Sequence, residues 1–239
     1  MVNISCVNTG TVKSFPEGLS LMEILKSFEP ELNSDYPILA AKVNSVTQGL
    51  KYRAFNSRKV EFLDYTSYAG RSVYCNSLCF LLCKAAQDEF PQCRVVLRRP
   101  ISKGYFCSID KGDGSAMTDD DLLRITDRMT AMVNEDIPFR RHEVLVDEAI
   151  ELFRSLGYDD KVKLLETSGD VYVNYYTLGK TPDYYYEALL PSTGYLKLWS
   201  LTMYRNGLLL RVPDRHAPEK LAPFVEQPKT FEVFSENLK

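Results

Sequence analysis

Residues 74–91, YCNSLCFLLCKAAQDEFP, constrain this chain more than any other stretch, because they read as a helix with almost no polar face. Leu78, Leu81, Leu82, Ala85 and Ala86 recur at three- and four-residue spacing, and Cys75, Cys79 and Cys83 add a second stripe four residues apart. Such a helix has to be enclosed, so the rest of the chain must supply layers around it. The length permits this: 239 residues suffice for one large or two ordinary domains. With 45% hydrophobic and 26% charged residues, neither a disordered nor a collagen-like reading is needed.

Charge and cysteine usage narrow the function classes. A net charge of -3 gives no long-range attraction for phosphate backbones, which argues against indiscriminate nucleic-acid binding and against DNA as a partner, while a local basic patch remains open. No apolar run approaches the ~20 residues of a membrane helix. Met1-Val2-Asn3 leads directly into a strand-like pattern without a signal peptide, so a cytoplasmic chain with no membrane partner is expected. The six cysteines (Cys6, Cys75, Cys79, Cys83, Cys93 and Cys107) lack the spacing of a disulfide framework. The stripe at Cys75, Cys79 and Cys83 invites a metal reading, but buried packing accounts for it better, since cysteine behaves as a small hydrophobe.

The chain begins with an alternating strand at Val2, Ile4 and Cys6, a turn at Asn8-Thr9-Gly10 and a return strand over residues 11–15. A helix follows, with Ser20 and Glu23 as a capping box, Leu19 and Ile24 as a staple, and Ile24, Leu25 and Phe28 on its buried face. Apolar strands are expected over 38–43 and 60–63. Two strands, a helix and further strands is the order of a β-grasp fold. Residues 64–71 make a connection too short for a free linker, so the two halves should be in contact or nearly so. Further on, Val95 to Leu97 reads as a strand. Thr118 caps a long helix carrying Leu122, Ile125, Met129 and Met132, with Met117 and Leu122 as its staple. Asp147 opens another, whose apolar residues Ile150, Leu152, Phe153 and Leu156 are followed by Gly157 as its stop. Strands are expected around 171–176 and within 196–212. No internal repeat or low-complexity tract occurs.

Several of these stretches carry a family resemblance. Ala41-Lys42-Val43-Asn44 with Gly49-Leu50 resembles the central hairpin of the TGS domain, the ubiquitin-like module at the start of threonyl-tRNA synthetases. The run Asn76-Ser77-Leu78-Cys79-Phe80, continuing to Phe90-Pro91, resembles the HSCAH-type helix of the editing domain that threonyl- and alanyl-tRNA synthetases share. Ile101-Ser102-Lys103-Gly104-Tyr105-Phe106 is similar to the glycine-aromatic hairpin of that family, Cys107 stands where its pocket commonly has a tyrosine, and Lys161 matches a pocket lysine. Pro191-Ser192-Thr193-Gly194 completes the series. The resemblance implies an α+β protein: a TGS (β-grasp) domain over 1–65, a larger editing-like domain over 72–213, and a tail over 214–239.

It also shows what is missing. The family places two histidines four apart on the helix, then a cysteine and a histidine before the Pro-Ser-Thr-Gly turn; here those positions hold Asn76, Phe80, Tyr185 and Leu189. Zinc is bound by thiolate, imidazole or carboxylate, and none of these is present at the four positions. No metal or other cofactor is therefore expected, and hydrolysis that needs those side chains should be lost. The candidate pocket is Lys161, Asn76, Tyr185, Cys107 and Tyr105, with Lys161 as the anion contact. Tyr172, Tyr175, Tyr176, Tyr184, Tyr185, Tyr186 and Tyr195 serve either as sheet packing or as a stacking platform for a nucleobase. Arg53, Arg58, Lys59, Arg98, Arg99, Arg140 and Arg141 are solvated by default and available for phosphate contacts.

Other motifs read as structural. His142 and His216 lack converging partners, Asp119-Asp120-Asp121 is a solvated first helical turn, and Lys111-Gly112-Asp113-Gly114 lacks the pattern of a phosphate loop. With no Walker motif, this chain should not transfer phosphate itself. A TGS unit before an editing-like domain without its ligands also resembles the N-terminal half of bacterial proteins that continue into a P-loop nucleoside kinase of the uridine kinase type, and residues 231–239 read as the start of an amphipathic helix. The expected role is binding or regulation directed at a nucleotide, an RNA end or an attached or partner kinase domain. The alternative is an aminoacyl-tRNA deacylase working without zinc.

Overall fold

The computed structural model describes residues 1–101 and 103–224, with the backbone alone at 98–101. Ser102, the side chains of Arg98, Arg99 and Ile101, and the helix start expected at 231–239 lie outside the described residues.

The N-terminal unit is built from β1 (Val2–Cys6), β2 (Val12–Phe15), a two-residue strand β3 (Leu19–Ser20), α1 (Leu21–Phe28), β4 (Ala40–Val43), β5 (Val46–Gly49), a second two-residue strand β6 (Arg53–Ala54) and β7 (Arg58–Leu63). Its main sheet has the order β2-β1-β7-β4-β5, and β3 pairs separately with β6. β1 and β7 run parallel and the other neighbours antiparallel, the arrangement of a β-grasp sheet. The turn between β4 and β5 puts Asn44 and Ser45 at positive φ, as a tight two-residue hairpin requires. Ser20 and Glu23 form the capping box of α1, and Leu21, Ile24, Leu25 and Phe28 are buried beneath it.

The second unit surrounds α2 (Tyr68–Glu89). This helix begins six residues before the apolar run, because the Ser67 hydroxyl accepts from the Gly70 N–H and opens it there. Along it, Val73, Tyr74, Cys75, Leu78, Cys79, Phe80, Leu81, Leu82, Ala85 and Ala86 are all buried. Against it lie β8 (Arg94–Ile101), β9 (Gly104–Asp110) and α3 (Asp119–Glu135); then follow β10 (Phe139–Leu145), α4 (Val146–Ser155), α5 (Asp159–Ser168), β11 (Tyr172–Leu178), β12 (Thr181–Asp183), β13 (Ser200–Tyr204) and β14 (Gly207–Arg211). Two antiparallel sheets result, ordered β13-β14-β9-β8 and β10-β11-β12. The chain is thus a mixed α+β protein.

Two readings need correction. Asp121 is not part of a solvated turn: it is buried, closes the Thr118 capping box and receives Lys111 at 2.8 Å. In α4 Phe153 is buried, joined by Ala149, whereas Leu156 is 43% exposed. α5 has no counterpart in the expected elements; it packs against α4 around a small separate core of Ala149, Phe153, Val162, Leu165 and Val173.

The two units share a core. Leu39, Ala40 and Tyr65 from the N-terminal unit belong to the same buried cluster as α2, and the Tyr65 hydroxyl donates to the Pro213 carbonyl at 2.8 Å.

Candidate functional site

Two elements position the site. α2 carries Asn76 and Phe80 one turn apart, and the segment after β12 carries Tyr185 and Leu189. They are held together by a buried hydroxyl: Ser77 donates to the Val73 carbonyl at 2.7 Å and accepts from the Leu190 N–H at 2.9 Å. The turn beyond is fixed by buried Thr193, whose hydroxyl donates to Met132 O at 2.5 Å and accepts from the Ile137 N–H at 2.8 Å. A serine inside an apolar run was the only sequence sign of the first clamp.

Carbon fills the centre of this assembly. The Phe80 ring lies 5.4 Å from that of Tyr185 and 5.8 Å from that of Phe139, while Leu189 is buried in the same core. Asn76 stands at the edge, where its amide donates to Glu187 Oε2 at 3.2 Å, and the Ser72 hydroxyl donates to the same carboxylate. Among the described residues, no group of three or more His, Cys, Asp or Glu side chains is placed to hold a metal ion.

Lys161, from the first turn of α5, meets Tyr185. Its Nζ is 5.8 Å from the Tyr185 ring centroid and 2.9 Å from Asp183 Oδ1. Burial works to lower the Lys161 pKa, but the adjacent Asp183 carboxylate outweighs it and leaves the ammonium raised. Burial, reinforced by Asp183, pushes the Tyr185 phenol well up, so the ring stays neutral. Any anion approaching Lys161 would compete with Asp183.

The remaining candidates lie nearer to the cysteine stripe. Cys107 on β9 is buried, and burial pushes its thiol up to about 12. The same cause raises Cys79 and Cys83 well above the ordinary thiol range, with neighbouring thiols and Asp183 adding to it. Cys75 is raised by burial and opposed by Tyr105 and Arg71. Cys75 and Cys79 are buried within the core around α2, where cysteine packs as a small hydrophobe. Tyr105 is itself raised by burial and by Cys75.

The tyrosines do not share one face. Tyr176 is buried, Tyr175 stacks on His142 at 4.9 Å, and Tyr172 and Tyr186 are exposed. His216 is exposed beyond β14, apart from His142 on β10. Two cavities flank the assembly. One, of about 650 Å³, lies between Tyr36, Tyr65, Tyr74 and Tyr195; the other, of about 440 Å³, lies between the β4–β5 hairpin and β10 and includes Leu189 in its wall.

Fold and site therefore define an α+β chain in which a β-grasp unit leads into a larger unit wrapped around an apolar helix, with a carbon-filled centre. Over most of its length the chain is similar to threonine–tRNA ligases. That of Desulforamulus reducens is 29% identical over 230 residues, covering 92% of this chain and 35% of the relative. That of Syntrophomonas wolfei is 28% identical over 221 residues (88% and 34%), and that of Bacillus velezensis 29% over 202 residues (84% and 31%). The chain spans about a third of the length of these curated relatives. No family model matches it. No helix among the described residues is long and apolar enough to cross a membrane.

Proposed function

We propose that this chain is a threonyl-tRNA synthetase-like binding module that recognises a nucleotide or RNA end and has given up editing hydrolysis. The observation that carries this reading is the packing of Phe80 against Tyr185 and Phe139, with Leu189 beside them. Hydrocarbon and a neutral phenol fill the volume where a hydrolytic site of this kind would hold its metal and its bases. On this reading Lys161, over the Tyr185 ring, is the anion contact, and Asn76, Tyr105 and Cys107 are the other candidate pocket residues. A phosphate can exchange with Asp183 for the ammonium, and an aromatic ring in reach can stack on a base at ~1 to 3 kcal/mol. On this reading the TGS unit over 1–65 and the editing-like unit over 72–213 serve an attached or partner catalytic unit. The nucleoside kinase implied by the sequence resemblance would carry any phosphoryl transfer in residues outside this chain.

Titration of the whole chain with a short CCA-ended RNA and with nucleotides tests the reading. Binding is expected at or below millimolar ligand, weakened roughly ten-fold by Lys161→Ala, the loss of one charge-assisted contact. Misacylated tRNA should not be deacylated above background. Robust turnover abolished by Lys161→Ala would establish the deacylase alternative instead, and binding indifferent to the mutation would remove Lys161 from the site.

A further inference from the structure

We propose a second site, separate from Lys161 and beyond the reading above: the cleft between the β4–β5 hairpin and the edge strand β10 binds a phosphate group. The cavity of about 440 Å³ there is lined by Lys51, Arg140, Arg141 and His142 together with Tyr52 and Tyr176, and no Asp or Glu is among its lining residues. In a chain of net charge -3, Lys51 and Arg140 bring two cations together with no acid in the cleft wall, while Arg141 is paired with Glu143 outside it, so the local field is opposite to that of the whole molecule.

The geometry follows from close packing at Gly49. A Cβ at that position would stand 3.1 Å from the Leu189 carbonyl oxygen, so the hairpin rests directly on the second unit and carries Lys51 across to β10. There the Lys51 ammonium donates to the Phe139 carbonyl at 3.2 Å. A carbonyl dipole is not a counter-charge. Burial depresses the Lys51 pKa, Arg140 depresses it further, and Asp136 acts in the opposite direction. Asp136, however, accepts the Gly194 N–H at 2.9 Å and lines the other cavity. The fold thus holds Lys51 and Arg140 together in a partly desolvated cleft, an arrangement that an anion relieves.

The other side chains are already fixed. The His142 ring stacks on Tyr175, and its Nε2 is 2.9 Å from Thr177 Oγ1; Arg141 Nε donates to Asn174 Oδ1 at 2.9 Å and its Nη2 lies 3.9 Å from Glu143 Oε2, so Arg141 is already neutralised. Arg140 is exposed and its side chain makes no hydrogen bond or ion pair among the described residues, so its guanidinium is available to fork onto a phosphate while Lys51 supplies a point charge beside it. The shared chemistry is a phosphate mono- or diester, carried on a nucleotide or on an RNA strand.

Calorimetric titration of the whole chain with pyrophosphate, with AMP and with a short 5′-phosphorylated RNA tests the site, alongside melting temperatures with and without each ligand. Saturable, mutually competitive binding is expected, with a rise in melting temperature on adding ligand. Lys51→Met and Arg140→Gln should each weaken it roughly ten-fold. Lys51→Met removes the repulsion together with the hydrogen bond to Phe139 O, so without ligand its melting temperature should stay close to that of the parent, and the loss of the ligand-induced rise is the readout. Lys163→Ala, an exposed cation on α5, should leave affinity unchanged. RNA binding tighter than AMP assigns the phosphate to a strand, and the reverse order assigns it to a nucleotide. Absence of saturable binding below about 10 mM of all three ligands, or binding that neither replacement affects, would overturn the site.

Discussion

Phe80 stands in a histidine position of the synthetase resemblance, and its ring is fully buried between Tyr185 and Phe139. Truncating it to alanine leaves a ring-sized void in a rigid core, so Phe80→Ala should cost about 3 to 5 kcal/mol in denaturant unfolding; a loss below about 1 kcal/mol would mean the centre is not packed as described. The acid groups around α2 make a second expectation. The thiols of Cys79, Cys83 and Cys107 and the phenols of Tyr65, Tyr74, Tyr105 and Tyr185 all have raised pKa values in the folded chain, chiefly through burial, with Tyr74 and Cys107 each at about 12. Above the unfolded thiol pKa of ~8.5 the unfolded chain releases protons that the folded chain keeps, and stability falls as pH rises; the phenols join above ~10. Melting temperature should therefore decline steadily from pH 8.5 to 11, and a flat profile there would contradict the burial of these groups. At this scale the sequence told which side chains stand at 76, 80, 185 and 189, but not that Phe80 would pack against Tyr185 and Phe139, a contact between residues far apart in the chain. Asp183 was not legible either: it reaches Lys161 only because β12 pairs with β11 and brings a carboxylate 22 positions away against α5. Sequence spacing carries no sign of such a pairing.

Helix ends illustrate the same division at the level of elements. The capping box at Ser20 and the cap at Thr118 were readable because each is a short local pattern, and both formed, although the part of Asp121 in closing a box at Thr118 was missed. Thr118→Ala should cost about 1 kcal/mol, measured by thermal or urea unfolding. The start of α2 was not readable in the same way, since Ser67 is followed by residues with no apolar period. Gly70 has a further role there: a Cβ would fall inside contact distance of the Asp64 carbonyl and the Ser67 hydroxyl. Gly70→Ala should destabilise well beyond a helix-propensity change, which on its own would favour alanine by about 1 kcal/mol. Hydrogen exchange faster at 68–74 than in the parent would locate the damage, and a stabilised variant would exclude the close approach. α5 escaped the sequence reading because its moderate period lies among charged residues, and its partner is α4 rather than the main core.

At the scale of the whole molecule, the question is whether the β-grasp unit and the larger unit behave as one cooperative body. A β-grasp sheet of about 65 residues has a small core, and domains of that size are marginal alone. Here its core of Ile4, Leu21, Ile24, Phe28, Val60 and Phe62 is complete in itself, yet Leu39 and Ala40 on the β4 side and Tyr65 at the exit of β7 are buried in the core of the second unit. Polar ties cross the same boundary: Tyr65 to Pro213 O at 2.8 Å, Lys51 to Phe139 O at 3.2 Å, Arg215 to Thr66 O at 2.9 Å and Tyr36 to Glu219 at 3.1 Å. The sequence indicated contact through the shortness of residues 64–71, but not that the boundary would be a shared core, because Leu39 and Tyr65 look like ordinary members of their own unit. Shared burial couples the two stabilities, so calorimetry should show one transition, coincident by near- and far-ultraviolet circular dichroism. Leu39→Ala should lower that transition by the equivalent of about 2 to 5 kcal/mol and should act on both units together. Two resolved transitions in the parent chain, or a Leu39→Ala effect confined to the first 65 residues in hydrogen exchange, would show instead that the units fold independently. In that case the cleft holding Lys51 against β10 would open and close with the motion between them.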